Sequence, residues 1–263
     1  MSNYNFFCIS FYEGNLDWIR RLTNDRHIVY CKGKTNSLEG SNLNWVKLPN
    51  VGYNIHSYLT YIIDNYENLP DVVVFCKNNV FDRHVSLDVF ESCISRNVFT
   101  PIEDSSSWNS LGFPVSVISS DGGFLELNNN WFSRKFSCKH FNSFNDFFKF
   151  IFKTDLVPSY LRFAPGANYV VPRDNILLRS KNFYTNLRSF IEHSQYSVES
   201  HYVERSLFAI WNSTLKESDM MSKLIKNKSL PLCLEARNNF IVRFKNKILL
   251  SAIKTIFFYV DFN

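Results

Sequence analysis

Apolar residues along positions 5–76 follow the two periods that strands and helices produce. Helical spacing occurs over 16–22 and again over 55–66, where apolar side chains recur at intervals of three and four. Short apolar runs, which predict buried strands, lie at 5–12, 27–31, 45–48 and 71–76. Strands that alternate with helices, the last strand being apolar throughout, predict a wound sheet with parallel strands.

The second half of the chain is less regular. Residues 101–123 are rich in Ser, Gly and Pro and carry one apolar run at 115–118. Helices are predicted at 141–152, 182–192 and 202–215, and a short strand at 168–172. We therefore predict one α/β domain over residues 1–215, with a wound mixed sheet that is flanked by helices and related to the Rossmann fold.

Residues 216–263 form a second predicted unit, a basic and apolar C-terminal tail. From Phe240 onward apolar residues recur at every fourth position, while Arg243, Lys247 and Lys254 lie on another face, which predicts an amphipathic helix. Residues 214–263 hold nine Lys or Arg and four Asp or Glu, whereas the rest of the chain holds 20 of each sign. The helix either docks on the protein's own core or lies on an anionic membrane surface through residues 237–260.

The composition favours a cytoplasmic protein with reduced thiols. No basic and apolar leader opens the chain, and no apolar run reaches the roughly 18 residues of a membrane span. The six cysteines have neither C-x-x-C nor zinc-site spacing.

Because the excess positive charge is confined to the tail, we expect no nucleic-acid partner. Aromatic residues make up 17% of the chain, which reflects either a compositional bias or platforms for sugar stacking.

Residues beyond the carboxyl ends of the predicted strands are candidates for ligand binding, because ligands of wound sheets bind there. The loop at 32–34 follows the second strand. Lys77 would offer its cation directly to a diphosphate. The candidate donor-binding residues after the first and fourth strands are Tyr12, Glu13, Lys77, Asn78 and Asn79.

The segment Asn50-Val51-Gly52 stands before the predicted helix at 55–66 and leaves two interpretations open. Backbone N–H groups at Asn50 and Gly52 would face a phosphate at the helix N-terminus, which makes both residues candidates for donor binding. Alternatively, the segment is a simple turn, and Asn54 is the N-cap of the helix.

Four blocks of the sequence, within residues 5–213, resemble an uncharacterised family that is found in fungi and bacteria. The central block runs from Leu48-Pro-Asn-x-Gly52 to Leu69-Pro-Asp-x-x-Val-Phe75. The other blocks are Tyr12-Glu-x-x-Leu-x-Trp18, Pro165-Gly-Ala-x-Tyr-x-Val-x-Arg173 and Glu204-Arg-x-Leu-Phe208. The chain departs from the family at Tyr53-Asn54, where many members have Arg-Glu, and at Lys77, where an amide is frequent.

The layout of this family is similar to that of the GT-A glycosyltransferases, at the level of fold alone. This resemblance implies a nucleotide-sugar donor and a glycan or lipid-linked glycan acceptor. It also implies that the strand and helix of the later blocks lie on the acceptor side. The residues concerned are Pro165, Gly166, Ala167, Tyr169, Arg173 and Arg205.

Glycosyl transfer needs a carboxylate, because the acceptor hydroxyl must lose its proton. The first candidate is Glu204, near the start of a predicted helix, although an ordinary helix-surface pair with Arg205 is the alternative. Asp121 and Glu126, which flank the turn at Gly122-Gly123, are the second candidates. The Asp-x-Asp motif that holds a divalent metal in many glycosyltransferases is absent. Asp82 and His84 remain as candidate ligands for Mn²⁺ or Mg²⁺, unless both are solvated loop residues.

Two functions follow as hypotheses. The first is a glycosyltransferase of surface polysaccharide biosynthesis, held at the cytoplasmic face of a membrane by the tail; it predicts one concave pocket that joins loops distant in sequence. The second is a degenerate or non-catalytic member of the family that binds a glycan or a protein. The lack of Asp-x-Asp and the change at Tyr53-Asn54 favour the second hypothesis.

No serine nucleophile elbow, Walker loop or dinucleotide fingerprint is present, which argues against hydrolases, ATPases and dehydrogenases.

Overall fold

The computed structural model describes residues 5–81, 84–104, 116–120, 122–130, 136, 138–226 and 229–233. The strands are β1 Phe6–Phe11, β2 His27–Cys31, β3 Trp45–Lys47, β4 Val72–Lys77, β5 Thr100–Pro101, β6 Ser116–Ile118, β7 Phe124–Leu127, β8 Tyr160–Arg162 and β9 Tyr169–Pro172. The helices are α1 Asp17–Thr23, α2 Tyr53–Asn65, α3 Leu87–Ile94, α4 Phe144–Ile151, α5 Arg173–Ile176, α6 Lys181–Ile191 and α7 Val198–Trp211.

The main sheet is mixed and has the strand order β3-β2-β1-β4-β9-β5. The strands β3, β2, β1 and β4 run parallel, and β9 pairs antiparallel with both β4 and β5. The chain adds β2 and β3 on one side of β1 and then crosses back through α2 to place β4 on the other side. The winding direction therefore reverses between β1 and β4, and this is where wound sheets leave a crevice at the carboxyl ends of their strands.

Helices cover both faces of this sheet, so its central strands are apolar on both sides. One core cluster joins Cys8, Val73 and Phe75 to side chains of α2, α4, α6 and α7. The other joins Phe7, Ile9 and further strand residues to side chains of α1 and α3. The prediction of a mixed α/β domain with helices flanking a wound sheet is thus confirmed.

A second sheet of three antiparallel strands, in the order β6-β7-β8, lies beside α7. Glu126 on β7 and Arg205 on α7 join the two by a bidentate ion pair, with distances of 2.6 Å from Nε to Oε1 and 3.0 Å from Nη2 to Oε2. Both side chains are almost completely buried, and the guanidinium also lies over the ring of Phe163. The small sheet is therefore anchored to α7 by charge as well as by apolar contacts.

The first part of the predicted tail packs against the α/β domain. Ser218 donates its backbone N–H to the carbonyl of Ile151, and the side chain of Met221 is fully buried in the larger core. Further on, Cys233 donates its backbone N–H to the carbonyl of Lys139, and its Sγ lies 3.0 Å from Sγ of Cys138. The amphipathic helix predicted over 237–260 lies outside the described residues.

Most of the predicted elements are confirmed within a few residues, and the differences are local. Helix α7 begins at Val198, four residues before the predicted start, because the side chain of Ser197 caps it by accepting from the backbone N–H of Ser200. The elements that were not predicted are helices α3 and α5 and strands β5, β7 and β8. Among the helices of the described residues, none combines the length and apolar character that crossing a bilayer requires.

Replacing Glu126 with Ala is expected to lower the free energy of unfolding by about 3 kcal/mol, because the buried Arg205 loses its bidentate partner. Chemical denaturation measures this change. Asp71→Ala is the matched control. It also breaks an Arg–carboxylate pair, the one with Arg173, but the side chain of Asp71 is 93% exposed. The control should cost less than about 1 kcal/mol. Equal losses in the two variants would contradict the role given to the buried pair.

Candidate functional site

A cleft of about 550 Å³ opens at the carboxyl ends of β1, β2 and β4, at the reversal of strand order. The structure brings together residues here that are up to about two hundred positions apart in sequence, including most of the predicted donor-binding residues. Those of the predicted residues that line the cleft are Tyr12, Glu13, Asn50, Lys77, Asn78, Asn79, His84, Gly166, Glu204 and Arg205.

The loops after β1 and β4 form the strand side of the cleft and are tied to each other by Asn78. Its backbone N–H donates to the carbonyl of Ser10 at 3.1 Å, and its side-chain amide donates to the carbonyl of Glu13 at 2.8 Å. Asn78 is buried, whereas the ring of Tyr12 is half exposed at the rim. Asn78 thus positions the loop that carries Tyr12 and Glu13.

Lys32, at the end of β2, is the most buried cationic side chain of the cleft lining apart from Arg205, with 6% of its surface exposed. Its ammonium donates to the backbone carbonyls of Val51 and Tyr53, which flank Gly52. Burial lowers the pKa of Lys32 to about 7. This amine therefore holds the segment before α2 in place and changes its charge near neutral pH.

The entry to α2 is held in an unusual backbone conformation. Gly52 is the N-cap residue at φ +62°, and Tyr53 follows at φ +49°, so two consecutive residues lie in the left-handed region. A Cβ on Gly52 would approach Ile191 to 2.8 Å, which explains why glycine is required there. The prediction that Asn54 caps the helix is wrong. Its amide lies within the first turn and instead donates to Tyr58 Oη at 3.0 Å and to the carbonyl of Gly166 at 2.9 Å.

The floor of the cleft is a chain of polar contacts that passes through Gly166. The ammonium of Lys77 donates to Nε2 of His84 at 2.7 Å. The His84 ring packs against Gly166, where an added Cβ would come within 2.8 Å of Nε2. The backbone N–H of Gly166 in turn donates to Oε1 of Glu204 at 2.9 Å. A cation and a carboxylate thus face one cleft across a single glycine.

Glu204 is an ionised carboxylate at any pH at which the protein would be assayed. Burial would raise its pKa, but His201, Arg205 and Lys77 outweigh burial and lower the pKa to about 2. Oε2 lies 3.5 Å from Nη1 of Arg205 and 3.7 Å from Nδ1 of His201. Because a general base works best with a pKa near the operating pH, Glu204 is better suited to hold charge and orient a ligand than to accept a proton.

Four aromatic side chains form the helix side of the cleft, which we call the aromatic wall: Tyr53, Phe136, Tyr196 and His201. The ring of Tyr53 lies 5.2 Å from that of Tyr196 and 5.1 Å from that of His201, measured between centroids. Phe136 stacks on His201 at 4.7 Å. Burial, together with Tyr196 and Glu204, raises the pKa of Tyr53 to about 12, so its hydroxyl stays protonated.

The predicted acceptor-side residues divide between the cleft and the core. Gly166 and Arg205 line the cleft, whereas Pro165, Ala167 and Tyr169 are buried. The hydroxyl of Tyr169 accepts the backbone N–H of Ala164 at 2.7 Å and so fixes the turn that presents Gly166. Arg173 is paired with Asp71 at the start of β4, which is the end of that strand opposite to the cleft, and it does not line the cleft. Gly52 acts from behind the lining, as the N-cap of α2.

Of the two predicted metal ligands, only His84 belongs to the described residues, and its Nε2 accepts from Lys77. Asp82 and the candidate carboxylate Asp121 lie outside them. The other second candidate, Glu126, does not line the cleft, because it is buried in its ion pair with Arg205. Within the parts of the chain that the structure describes, no three or more His, Cys, Asp or Glu side chains are grouped so that they could hold a metal ion.

Several cleft residues were not predicted as site residues: Ser10, Lys32, Tyr53, Asn54, Phe136, Tyr196, Ser200 and His201. The loop at 32–34, which carries Lys32, was singled out because it follows a strand, although Lys32 itself was not named as a site residue. The aromatic wall could not be predicted from the sequence, because its members come from three distant segments and no local pattern relates them.

The sequence profile of a family described as "Protein of unknown function (DUF3431)" matches residues 9–228. The chain belongs to this family. No curated protein and no solved structure matches the chain significantly. The DUF3431 match covers all the residues that line the cleft, from Ser10 to Arg205, so the cleft belongs to the family's own domain.

Replacing Gly166 with Ala is expected to destabilise this DUF3431 domain by about 1–3 kcal/mol more than Gly40→Ala. Both glycines have φ near +80°, but only Gly166 has a neighbour, His84, in the place of the added Cβ. The control therefore isolates the cost of the left-handed backbone, about 1 kcal/mol. Chemical denaturation of both variants measures the difference. Equal costs would mean that Gly166 does not confine the His84 ring.

Proposed function

We propose that this protein transfers a glycosyl group from a nucleotide sugar to a glycan acceptor. The observation that carries the proposal is the arrangement of Lys77 and Glu204, a cation and an ionised carboxylate, in one cleft at the reversal of strand order. Crevices at this place in wound sheets bind nucleotides. The likeness of the layout to GT-A glycosyltransferases adds support at the level of fold.

The strand side of the cleft suits the donor. Lys77 supplies positive charge beside the ends of β1 and β4, and Lys32 gains a full charge when an anion comes near. The amides of Asn50, Asn78 and Asn79 offer hydrogen-bond donors and acceptors around this charge. Such a mixture of cations and amides matches a diphosphate joined to a nucleoside.

The reaction assigns distinct tasks to the two charged groups. An acceptor hydroxyl oxygen bonds to the anomeric carbon while the bond from that carbon to the diphosphate oxygen breaks. Lys77 stabilises the negative charge that develops on the leaving diphosphate. Glu204 stabilises the positive charge that develops on the sugar ring and orients the acceptor, and the hydroxyl proton passes to solvent water.

A divalent metal is one way to neutralise a diphosphate, and Mn²⁺ or Mg²⁺ would be the expected ion. Among the described residues no three or more His, Cys, Asp or Glu side chains are grouped so that they could hold such an ion, and Nε2 of His84 accepts from Lys77. We therefore assign the neutralisation to Lys77. The acceptor is a glycan or lipid-linked glycan of a surface polysaccharide, and residues 237–260 would hold the protein on the cytoplasmic face of a membrane.

A second candidate function is glycan or protein binding without catalysis. It is favoured by the contacts that Lys77 and Glu204 already make with His84 and Arg205, which occupy part of their capacity for a ligand. In this case the cleft would bind a sugar or a peptide but not a nucleotide. The two functions therefore differ in one property, the affinity for nucleotides.

Thermal unfolding with a panel of UDP, GDP, CMP and dTDP and their sugars tests the proposal. One nucleotide class should raise the stability by about 2.7 kcal/mol at 100 times its dissociation constant. The shift should persist in EDTA and disappear in Lys77→Met. Lys153→Met is the charge-matched control, because Lys153 is exposed and lies outside the cleft lining. No shift with any nucleotide on folded protein would favour the binding function.

Glu204→Gln is expected to keep the nucleotide shift and to lower the rate of transfer by about 10²–10³-fold, because it removes preorganised charge. The loss should be the same from pH 5 to pH 8, since a pKa of about 2 leaves the wild-type carboxylate ionised throughout this interval. Product formation by mass spectrometry measures the rate. A loss that grows as the pH rises through 5–7 would identify Glu204 as the titrating base and contradict the orienting role.

A further inference from the structure

The aromatic wall is an apolar surface in a cleft that also carries charged and amide side chains. Tyr196 is 49% exposed although its ring contacts that of Tyr53. Polar groups lie beside the wall: the amide of Gln195, which donates to the hydroxyl of Tyr196 at 2.7 Å, and the carboxylate of Glu204 line the same cleft. An apolar patch with polar groups at its margin is the arrangement of a binding site for an amphipathic ring.

The backbone holds the wall in place at a cost in strain. Tyr53 is the only residue with a side chain at φ between +20° and +160° among the described residues of the cleft lining. Its left-handed conformation turns the ring toward Tyr196 and His201 instead of along α2. Such strain persists where the surroundings enforce it, and it is concentrated at functional sites.

Glu204 joins the wall to the charged part of the cleft. His201, a member of the wall, has its Nδ1 3.7 Å from Oε2 of Glu204. Lys77, which belongs to the donor side, lines the same cleft and also lowers the pKa of Glu204. A ring that stacks on the wall beside His201 would therefore lie close to Glu204.

The geometry of the wall distinguishes between two kinds of ring. The plane of Tyr53 makes angles of 50° with Tyr196, 62° with His201 and 90° with Phe136. The nearly parallel pair, Phe136 and His201 at 29°, is in direct contact at 4.7 Å, so none of these ring pairs encloses a flat base between two parallel faces. The inclined rings suit a puckered ring, whose axial C–H groups carry partial positive charge and face the negative π-surface, while its hydroxyls reach the polar margin.

We propose that the aromatic wall is the acceptor subsite and that it binds a pyranose ring of the acceptor glycan, with Tyr196 as the stacking platform. The assignment of this sugar to the acceptor rests on the proposed function, whereas the binding of a sugar at the wall does not. A hydroxyl of the stacked ring lies at His201 and Glu204, between the wall and the donor.

The test uses the full chain and two measurements on the same samples. Saturation-transfer NMR with a mixture of the methyl pyranosides of glucose, galactose, mannose and N-acetylglucosamine reports sugar binding, and the nucleotide panel reports donor binding. Tyr196→Ala removes the platform, and Tyr196→Phe keeps it. Tyr12→Ala is the matched variant on the strand side, since Tyr12 is 50% exposed, and Tyr160→Ala, 44% exposed and outside the cleft lining, is the external control.

The expected result is a loss of affinity for at least one pyranoside by about tenfold in Tyr196→Ala, with wild-type affinity in Tyr196→Phe and Tyr160→Ala. The nucleotide shift should be unchanged in Tyr196→Ala and reduced in Tyr12→Ala. If Tyr196→Ala loses sugar binding and no sample shows a nucleotide shift, the sugar site is supported and the transferase function is rejected.

Three results would overturn the inference. One is the absence of saturation transfer to every pyranoside in the wild-type protein. Another is transfer that Tyr196→Ala leaves unchanged. The third is a nucleotide shift that Tyr196→Ala abolishes and Tyr12→Ala preserves, which would make the wall the site of the nucleobase. Thermal unfolding of each variant without ligand establishes that it is folded.

Discussion

The structure depends on the parallel pairing of β1 with β2 on one side and with β4 on the other. A strand that is paired in parallel on both edges forces the chain to cross the sheet and return, because parallel neighbours cannot be joined by a tight turn. The return through α2 brings the segment at residues 50–54 over the carboxyl ends of all three strands. Polar groups collect there because the strands themselves are apolar on both faces and cannot hold them.

The C-terminal half of the domain completes this crevice rather than forming a separate unit. Strand β9 extends the sheet antiparallel to β4, and the turn before it presents Gly166 at the floor of the cleft. Helices α6 and α7 then pack against α2 and bring His201 and Glu204 to the side that faces Lys77. The cleft is thus closed by elements that follow its first residues by more than 150 positions, and its charges are balanced only in the complete fold.

The sequence predicted the fold better than the site, for a physical reason. The apolar period of residues 55–66 and the apolar run of 71–76 are local properties, and burial on one or both faces follows from them directly. The loops at residues 12–13 and 77–79 were found in the same way, since they follow strands. The position of Arg173 and the burial of Tyr169 depend instead on β9 running antiparallel to β4, which no local pattern encodes. The partnership of Tyr53 with Tyr196 likewise arises only when the start of α2 meets the segment between α6 and α7.

Glu204 and Arg205 are neighbours in sequence but serve different parts of the molecule. Glu204 offers its carboxylate to the cleft, whereas Arg205, which also lines the cleft, uses its guanidinium to bind Glu126 and hold the small antiparallel sheet. One helical turn therefore carries both an element of the site and an anchor of the scaffold. This arrangement limits how the protein can be re-engineered. Grafting the cleft loops alone onto another α/β scaffold would leave out α7, the helix that supplies the carboxylate of the cleft. Grafting α7 as well would require a buried acidic partner for Arg205. The transferable module is the cleft, α7 and the small sheet taken together.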